Sequence, residues 1–158
     1  MDTVAHAVWS FIIFRNFDLA WLAVFFGAMP DLFSWTIYTL YGLIFKRKEL
    51  ARNFRKPNLN VIPKWVFTLY GITHSLFVFA GIFLLTWLVI GTLPTILLAW
   101  LIHILIDIPT HTKDFLPTPF LWPIKTEKYA FNGISWGSKW FMLTNWSAII
   151  ITLIIVFS

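Results

Sequence analysis

Ionisable side chains occur inside the apolar stretches of this chain, where a charge at mid-membrane costs at least about 2.5 kcal/mol. Three of the four histidines and two of the seven acids lie in such stretches. They are His6, His74, His103, Asp31 and Asp107. Intramembrane ionisable residues usually pair with one another, bind ions or relay protons. These five residues are therefore the first candidates for a functional site.

His103 and Asp107 are four residues apart, a spacing that places both side chains on one face of a helix. An imidazole and a carboxylate placed in this way can bind one metal ion from the same side. Asp31 and His74, on two other segments, complete a nitrogen and oxygen ligand set typical of zinc and related divalent ions such as manganese. A divalent cation also compensates two buried carboxylates, which otherwise stay protonated or repel each other.

Each of these residues also has a simpler interpretation. An intramembrane histidine such as His74 often forms only a hydrogen bond between helices, and Asp31 after Pro30 could cap a helix N-terminus. His103 and Asp107 could bond to neighbouring helices in the same way. Such explanations require every residue to be satisfied separately, whereas one metal ion satisfies all four. The joint pattern therefore favours a metal site.

Five helical segments are predicted to position these side chains. They cover residues 4–14, 19–45, 65–90, 94–108 and 139–158. The first is shorter than the roughly 20 apolar residues that cross a bilayer. For this reason we expect it to be a packed or re-entrant helix. We do not expect a cleavable signal peptide, because the segment lacks a basic leader and a small-residue cleavage site. The second is expected to break at Met29-Pro30-Asp31, because proline removes a helix hydrogen bond.

The composition places the chain in the membrane class. Hydrophobic residues make up 59% of it and charged residues only 12%, against about 25% charged residues in soluble domains. Cysteine is absent, which excludes disulfides and thiolate ligands. We therefore predict an all-α polytopic membrane helix bundle, a single domain over residues 1–158 with three to four full spans.

The net charge of +5 is concentrated in residues 46–56. In a soluble protein such a basic run suggests nucleic-acid binding. Between two apolar segments it instead indicates a cytoplasmic loop by the positive-inside rule, with binding to acidic lipid head groups as the lesser alternative. We predict a multi-pass protein of the cell's inner (plasma) membrane without a nucleic-acid partner. Its loops 46–64 and 109–138, both lysine-bearing, are expected to be cytoplasmic.

Several polar motifs follow one another along the chain from its first helix to about Asn145. They are His6, Pro30-Asp31, Thr73-His74-Ser75, His103-x-x-x-Asp107, Asp107-Ile-Pro-Thr-His-Thr-Lys-Asp-Phe, Leu121-Trp122-Pro123 and Gly133-Ile-Ser-Trp-Gly. This ordered set resembles a bacterial family of predicted membrane-bound, metal-dependent hydrolases. The family is in turn distantly similar to zinc-dependent phospholipase C, an all-helical enzyme that holds a cluster of zinc ions with His and Asp side chains.

The resemblance implies a metal site formed by the four residues His74, Asp31, His103 and Asp107. It also implies that Asp107 can bridge to a second ion, with ligands of the neighbouring sites at His6 and His111. A later His-x-x-x-Glu pair, which a three-ion cluster requires, is missing. In its place the sequence has Asn132, Ser135 and Asn145. The resemblance therefore implies one or two zinc ions.

A metal-dependent hydrolase is the function that these residues predict. An ion with an open coordination position activates bound water and polarises an ester oxygen. We expect the substrate to be a phosphoester or related ester of a membrane lipid or lipid-linked compound. Asp107 would act as ligand, while His111 or Asp114 would carry protons or orient water. Two alternatives stay open: a haem held between His74 and His103, and an ion or proton carrier.

Overall fold

The computed structural model describes residues 1–46, 48–49, 58–113, 116–124 and 133–158. Within these ranges the fold is all-helical, which confirms the predicted class. The six helices are α1 Thr3–Phe14, α2 Ala20–Phe45, α3 Lys64–Thr73, α4 Leu76–Ile90, α5 Leu98–Thr110 and α6 Lys139–Phe157.

Helix α1 is short and packs against its neighbours, as expected. The Asp2 side chain caps it by accepting a hydrogen bond from the backbone N–H of Ala5 at 2.9 Å. Ser10 lies directly against Gly27 of α2, where a side chain of any size would collide with it. The close approach of α1 and α2 brings His6 to the centre of the molecule, where it is almost fully buried.

Helix α2 continues through Pro30, so the predicted break at Met29-Pro30-Asp31 is wrong. The irregularity follows the proline instead, as one π-helical turn over Leu32–Thr36. A π-turn leaves a carbonyl without its usual helical partner. Here the Pro30 carbonyl accepts hydrogen bonds from the hydroxyls of Ser34, at 2.8 Å, and Thr73, at 3.1 Å. These two hydroxyls satisfy the backbone next to Asp31 while the helix remains continuous.

The predicted segment 65–90 is two helices, α3 and α4, which meet at a bend of 51°. The bend lies at His74 and Ser75. Ser75 has an extended backbone, and its hydroxyl caps α4 by accepting the N–H of Val78 at 3.3 Å. The same hydroxyl donates to the carbonyl of Trp122 at 2.7 Å. The continuous apolar sequence does not indicate this break, because the break depends on the Ser75 cap and on the packing of the 116–124 segment.

Helix α5 is preceded by a short 3₁₀ turn over Thr95–Leu97 and includes Pro109, so it ends two residues later than the predicted Ile108. A proline in the last turn removes only one helical hydrogen bond. Helix α6 is capped by the Ser138 hydroxyl, which accepts the N–H of Phe141 at 3.2 Å. Its apolar surface is largely exposed, as suits a helix in contact with lipid.

The described residues contain two helices long and apolar enough to cross a membrane, α2 and α6, or three if α3 and α4 together form one bent span. Two to three candidate spans in the described part of the chain are fewer than the predicted three to four. Helix α5 with its 3₁₀ turn covers only Thr95–Thr110. At about 1.5 Å per residue it falls short of a hydrocarbon core of about 30 Å.

The main apolar core lies between α2, α4 and α5. It consists of Met29, Phe79, Leu97, Trp100 and Ile104. The Trp100 indole N–H donates to the carbonyl of Thr73 at 2.6 Å, which fixes the end of α3 against α5. This contact holds the bend between α3 and α4 beside the middle of α5, where the candidate metal ligands lie.

Candidate metal centre

Three parts of the fold supply the side chains of the candidate metal centre. Asp31 comes from the middle of α2, immediately before the π-turn. His74 comes from the bend between α3 and α4. His103 and Asp107 are one turn apart on α5. The candidate centre thus consists of one residue from α2, one residue from the α3–α4 bend and two residues from α5.

One ligand atom from each of these four residues lies within 4.8 Å of all the others. The Nε2 atoms of His74 and His103 are 3.1 Å apart. Oδ2 of Asp107 is 3.3 Å from the His103 Nε2 and 3.5 Å from the His74 Nε2. Oδ1 of Asp31 is 3.8 Å from the His74 Nε2. The predicted convergence of these residues is confirmed.

The spacing of these atoms matches that of ligands around one small cation. Two ligands bound tetrahedrally at about 2.0–2.1 Å are roughly 3.3–3.4 Å apart. His74, His103 and Asp107 form a triangle with edges of 3.1, 3.3 and 3.5 Å, which corresponds to one face of such a tetrahedron. Asp31 lies somewhat farther away, at the position of a fourth ligand.

Hydrogen bonds on the far side of each imidazole orient its Nε2 lone pair toward the centre. Nδ1 of His103 lies 2.6 Å from the carbonyl of Gly27, and Nδ1 of His74 lies 3.1 Å from the carbonyl of Tyr70. A carbonyl can only accept, so both Nδ1 atoms donate and both neutral rings present a lone pair at Nε2. These lone pairs face each other and a carboxylate, an arrangement that a cation or a proton would stabilise.

The two carboxylate oxygens of Asp107 have different surroundings. Oδ1 accepts a hydrogen bond from Nε2 of His6 at 2.9 Å and forms an ion pair with the amino group of Met1. Oδ2 is buried, faces the two Nε2 atoms and has no hydrogen-bond partner among the described residues. Because a buried unpaired acceptor is costly, Oδ2 is the atom that a bound cation would satisfy.

Asp31 and His6 are held in place by neighbouring side chains. The Thr3 hydroxyl donates to Oδ2 of Asp31 at 2.9 Å, leaving Oδ1 toward the centre. The His6 ring stacks on His103, with ring centroids 3.7 Å apart. His6 donates to Oδ1 of Asp107, whereas His74 lies near Oδ2. Whether His6 also binds metal stays a prediction.

His111 lies just beyond the end of α5. Its Nδ1 is 3.1 Å from the backbone carbonyl of Asp107, 3.0 Å from the hydroxyl of Thr118 and 3.7 Å from Oδ2 of Asp107. Burial lowers the pKa of His111 below its usual value, so its ring is mainly neutral at pH 7. The structure therefore places His111 beside the four-residue group, in a position compatible with the predicted role in proton transfer.

The remaining polar residues named from the sequence have no described contact with this group or lie outside the description. Asp114 and Asn132 lie outside the described residues. Asn145, on α6, accepts a hydrogen bond from the Trp9 indole at 3.0 Å, so it belongs to the contact between α1 and α6. Lys113 is exposed and Ser135 is also exposed; neither has a contact that assigns it a role in the site.

The four candidate ligands are buried rather than open to a wide pocket. Asp31 is 7% exposed and the other three are 1% exposed or less. Trp122 packs against Gly71 of α3, and Trp136 lies over His111 with ring centroids 6.5 Å apart. Trp122 and Trp136 thus lie beside the site and help to cover it. The exposed edges of the site are at Asp31 and His111, where a tenth of each side chain is accessible.

Several residues that shape the centre have no distinguishing signal in the sequence. The Gly27 carbonyl and the hydroxyls of Thr3 and Thr118 contact ligands only because distant segments pack together. Tyr70 is one of many aromatic residues in an apolar run. Its position one turn before His74 was the only available clue, and that clue is weak.

The chain matches no protein-family model, no curated protein and no solved structure. The resemblance to membrane-bound, metal-dependent hydrolases therefore stays a prediction, and the geometry of the site carries the functional argument.

Proposed function

We propose that this protein binds one divalent metal ion, zinc, at Asp31, His74, His103 and Asp107, and uses it to hydrolyse a phosphoester of a lipid or lipid-linked compound. One observation carries the proposal. Two imidazole lone pairs and an unpaired carboxylate oxygen face one another at 3.1–3.5 Å in a buried site. Without a cation or a proton, these atoms repel each other.

The chemical nature of the ligand set favours a reactive ion over a structural one. Structural zinc sites are rich in cysteine thiolates, whereas catalytic zinc sites use histidine and carboxylate ligands and keep one position for water or substrate. This chain contains no cysteine. Histidine and carboxylate ligands correspond to the catalytic kind. His74, His103 and Asp107 would supply three ligands, and the more distant Asp31 would either leave the fourth position to water or share a five-coordinate ion with it. Manganese accepts the same ligands and is the alternative ion.

A zinc ion in such a site supplies Lewis acidity and lowers the pKa of water. The side chains around it have separate roles. His6 orients Asp107 through Oδ1, while His111, held by Thr118, is the group positioned to accept or deliver a proton. Asp31 lies on α2 and His74 lies at the bend of the α3 and α4 pair, helices long and apolar enough for a bilayer, which favours a substrate with a lipid anchor and an ester group near the membrane surface.

The geometry disfavours the haem and carrier alternatives. A haem requires its two axial histidines on opposite faces of a flat macrocycle. The Nε2 atoms of His74 and His103 are only 3.1 Å apart, with Asp107 beside them, so no such ring fits between them. A proton or ion carrier needs polar groups distributed along a path. These side chains instead form one compact group.

Metal analysis of the detergent-purified protein tests the proposal. After removal of metal with a chelator and reloading, we expect one zinc per wild-type chain and a loss of at least about 100-fold in affinity for Asp107→Asn or His103→Ala. Both variants should also lose chelator-sensitive hydrolysis on a panel of phospholipids and polyprenyl phosphates. Asp18→Asn is the matched control, because Asp18 is exposed and lies outside the site.

Two results would contradict the proposal. If the wild-type protein retains no divalent metal after reloading, the site does not bind metal. If Asp107→Asn retains zinc with wild-type affinity, the four-residue ligand set is wrong. Visible absorption of the same samples tests the haem alternative directly, because haem produces strong bands and zinc produces none.

A further inference from the structure

Tyr70 carries a buried hydroxyl group that the contacts described so far do not use. The side chain is only 3% exposed, and its hydroxyl oxygen has no hydrogen-bond partner within the part of the chain that the structure describes. Among the described residues, the other buried side-chain donor without a partner is Asn145 Nδ2, between α1 and α6. A hydroxyl buried in this way costs free energy unless a ligand or water receives its proton.

The Tyr70 ring lies between two imidazoles of the metal centre. Its centroid is 4.1 Å from that of His74 and 6.4 Å from that of His111. Nitrogen atoms of both imidazoles lie within 3.7 Å of Oδ2 of Asp107. The hydroxyl end approaches Thr118, without a hydrogen bond of normal geometry. Since Thr118 bonds to the Asp107 carbonyl and to His111, the Tyr70 hydroxyl lies at the edge of the centre.

We infer that the Tyr70 hydroxyl donates a hydrogen bond to an anionic oxygen of the substrate. This oxygen belongs to a phosphate-type group bound beside the metal. The polar atoms that converge on the centre are acceptors, so they bind a cation but repel an anion. A neutral O–H group beside them offers a proton to a negatively charged oxygen without competing for the metal. This inference rests on the proposed metal-dependent function and specifies the chemistry that its substrate must present.

The neighbours of Tyr70 keep the ring in a fixed position. Trp35 packs on it edge-on, with centroids 5.6 Å apart, and the Tyr70 carbonyl accepts the hydrogen bond from Nδ1 of His74. A phenylalanine at this position retains the ring and the backbone carbonyl and removes only the hydroxyl. Tyr70→Phe therefore separates the donor role from packing and from the orientation of His74.

The experiment uses the full-length, detergent-purified protein loaded with cobalt(II), whose visible spectrum reports ligands at the ion. Inorganic phosphate and dihexanoyl phosphatidic acid serve as separate probes. We expect Tyr70→Phe to bind cobalt as tightly as wild type, but to bind the probes about 10- to 100-fold more weakly, the value of one hydrogen bond to a charged oxygen. Tyr41→Phe is the matched control, since its ring packs on Phe45 and Trp65, away from the centre.

The possible outcomes are distinct. A loss for both probes supports recognition of the phosphate group itself. A loss for the lipid alone supports a membrane substrate, and a loss for phosphate alone supports a soluble phosphate compound. Unchanged binding of both probes by Tyr70→Phe, or wild-type protein that binds cobalt but neither probe, overturns the role of Tyr70 and leaves the metal site intact. Wild-type protein that binds no metal overturns both proposals.

Discussion

At the scale of single residues, Asp107 is the most connected group of the candidate centre. Oδ1 is engaged by His6 and by the amino group of Met1, whereas Oδ2 faces His74 and His103 and receives no hydrogen bond from any described residue. A carboxylate with one oxygen bonded and the other free is oriented for a ligand on the free side. Such supporting hydrogen bonds tune metal affinity, although their donors do not touch the ion.

We therefore predict that His6→Ala weakens zinc binding about 10- to 100-fold and leaves the stoichiometry at one ion per chain. The reason is that Asp107 loses the hydrogen bond at Oδ1 and the His103 ring loses its stacking partner. Competition with a chromophoric chelator measures the affinity, and elemental analysis measures the stoichiometry. A drop from two ions to one would show instead that His6 is a ligand of a second site.

At the scale of helices, the centre depends on how closely α1 and α2 approach each other. A Cβ atom at Gly27 would lie 1.9 Å from the Ser10 hydroxyl oxygen and 2.7 Å from its Cβ. The Gly27 carbonyl also accepts the hydrogen bond that orients His103. The same glycine thus sets the helix spacing and the direction of a candidate ligand, so packing and metal binding are coupled at this position.

Gly27→Ala is expected to destabilise the protein by about 1–3 kcal/mol, because the added methyl group forces the two helices apart. Thermal unfolding in detergent and zinc affinity are measured, and we expect a lower unfolding midpoint and weaker zinc binding. Gly81→Ala is the matched control, since nothing lies within 4 Å of a Cβ at that position of α4. An alanine there should leave stability unchanged or raise it by up to about 1 kcal/mol. Equal midpoints for the two variants would contradict the packing argument.

At the scale of the whole molecule, the arrangement in the membrane depends on the bent pair α3 and α4. If the pair crosses as one span, the loop before α3 and the segment after α5 lie on the same side, because α5 returns toward the metal centre. The positive-inside rule then places both on the cytoplasmic side. If the α3 and α4 pair is re-entrant, the connection between α4 and α5 also lies on the cytoplasmic side.

Single cysteines distinguish these arrangements, because the natural chain contains none. We predict that cysteines at Lys48 and Lys113 react with a membrane-impermeant maleimide only after the cytoplasmic side is opened. A cysteine at Thr92, between α4 and α5, should react in intact cells. All three positions are exposed. Protection of Thr92→Cys in intact cells, with labelling after permeabilisation, would make the bent pair re-entrant and reduce the spans to two.

The sequence by itself determined the properties that depend on composition and on short spacings. Apolar runs predict helices wherever they occur, and the i, i+4 relation of His103 and Asp107 follows from helical geometry alone. The cost of burying charge identified Asp31 and His74 as their partners. These inferences needed no knowledge of which helices touch. The sequence therefore predicted every helical segment, although it did not divide residues 65–90 into α3 and α4, and it predicted the four-residue group.

Only the tertiary structure decided how those residues meet. Hydroxyls from Ser34 and Thr73 keep α2 continuous past Pro30, and Ser75 with the 116–124 segment bends the chain at His74. The Tyr70 hydroxyl likewise becomes a candidate donor only because the described residues around it leave it without a partner. Apart from the local bond of Ser34 to Pro30, these effects arise from contacts between segments far apart in sequence, and their energies depend on three-dimensional packing, which local patterns do not encode.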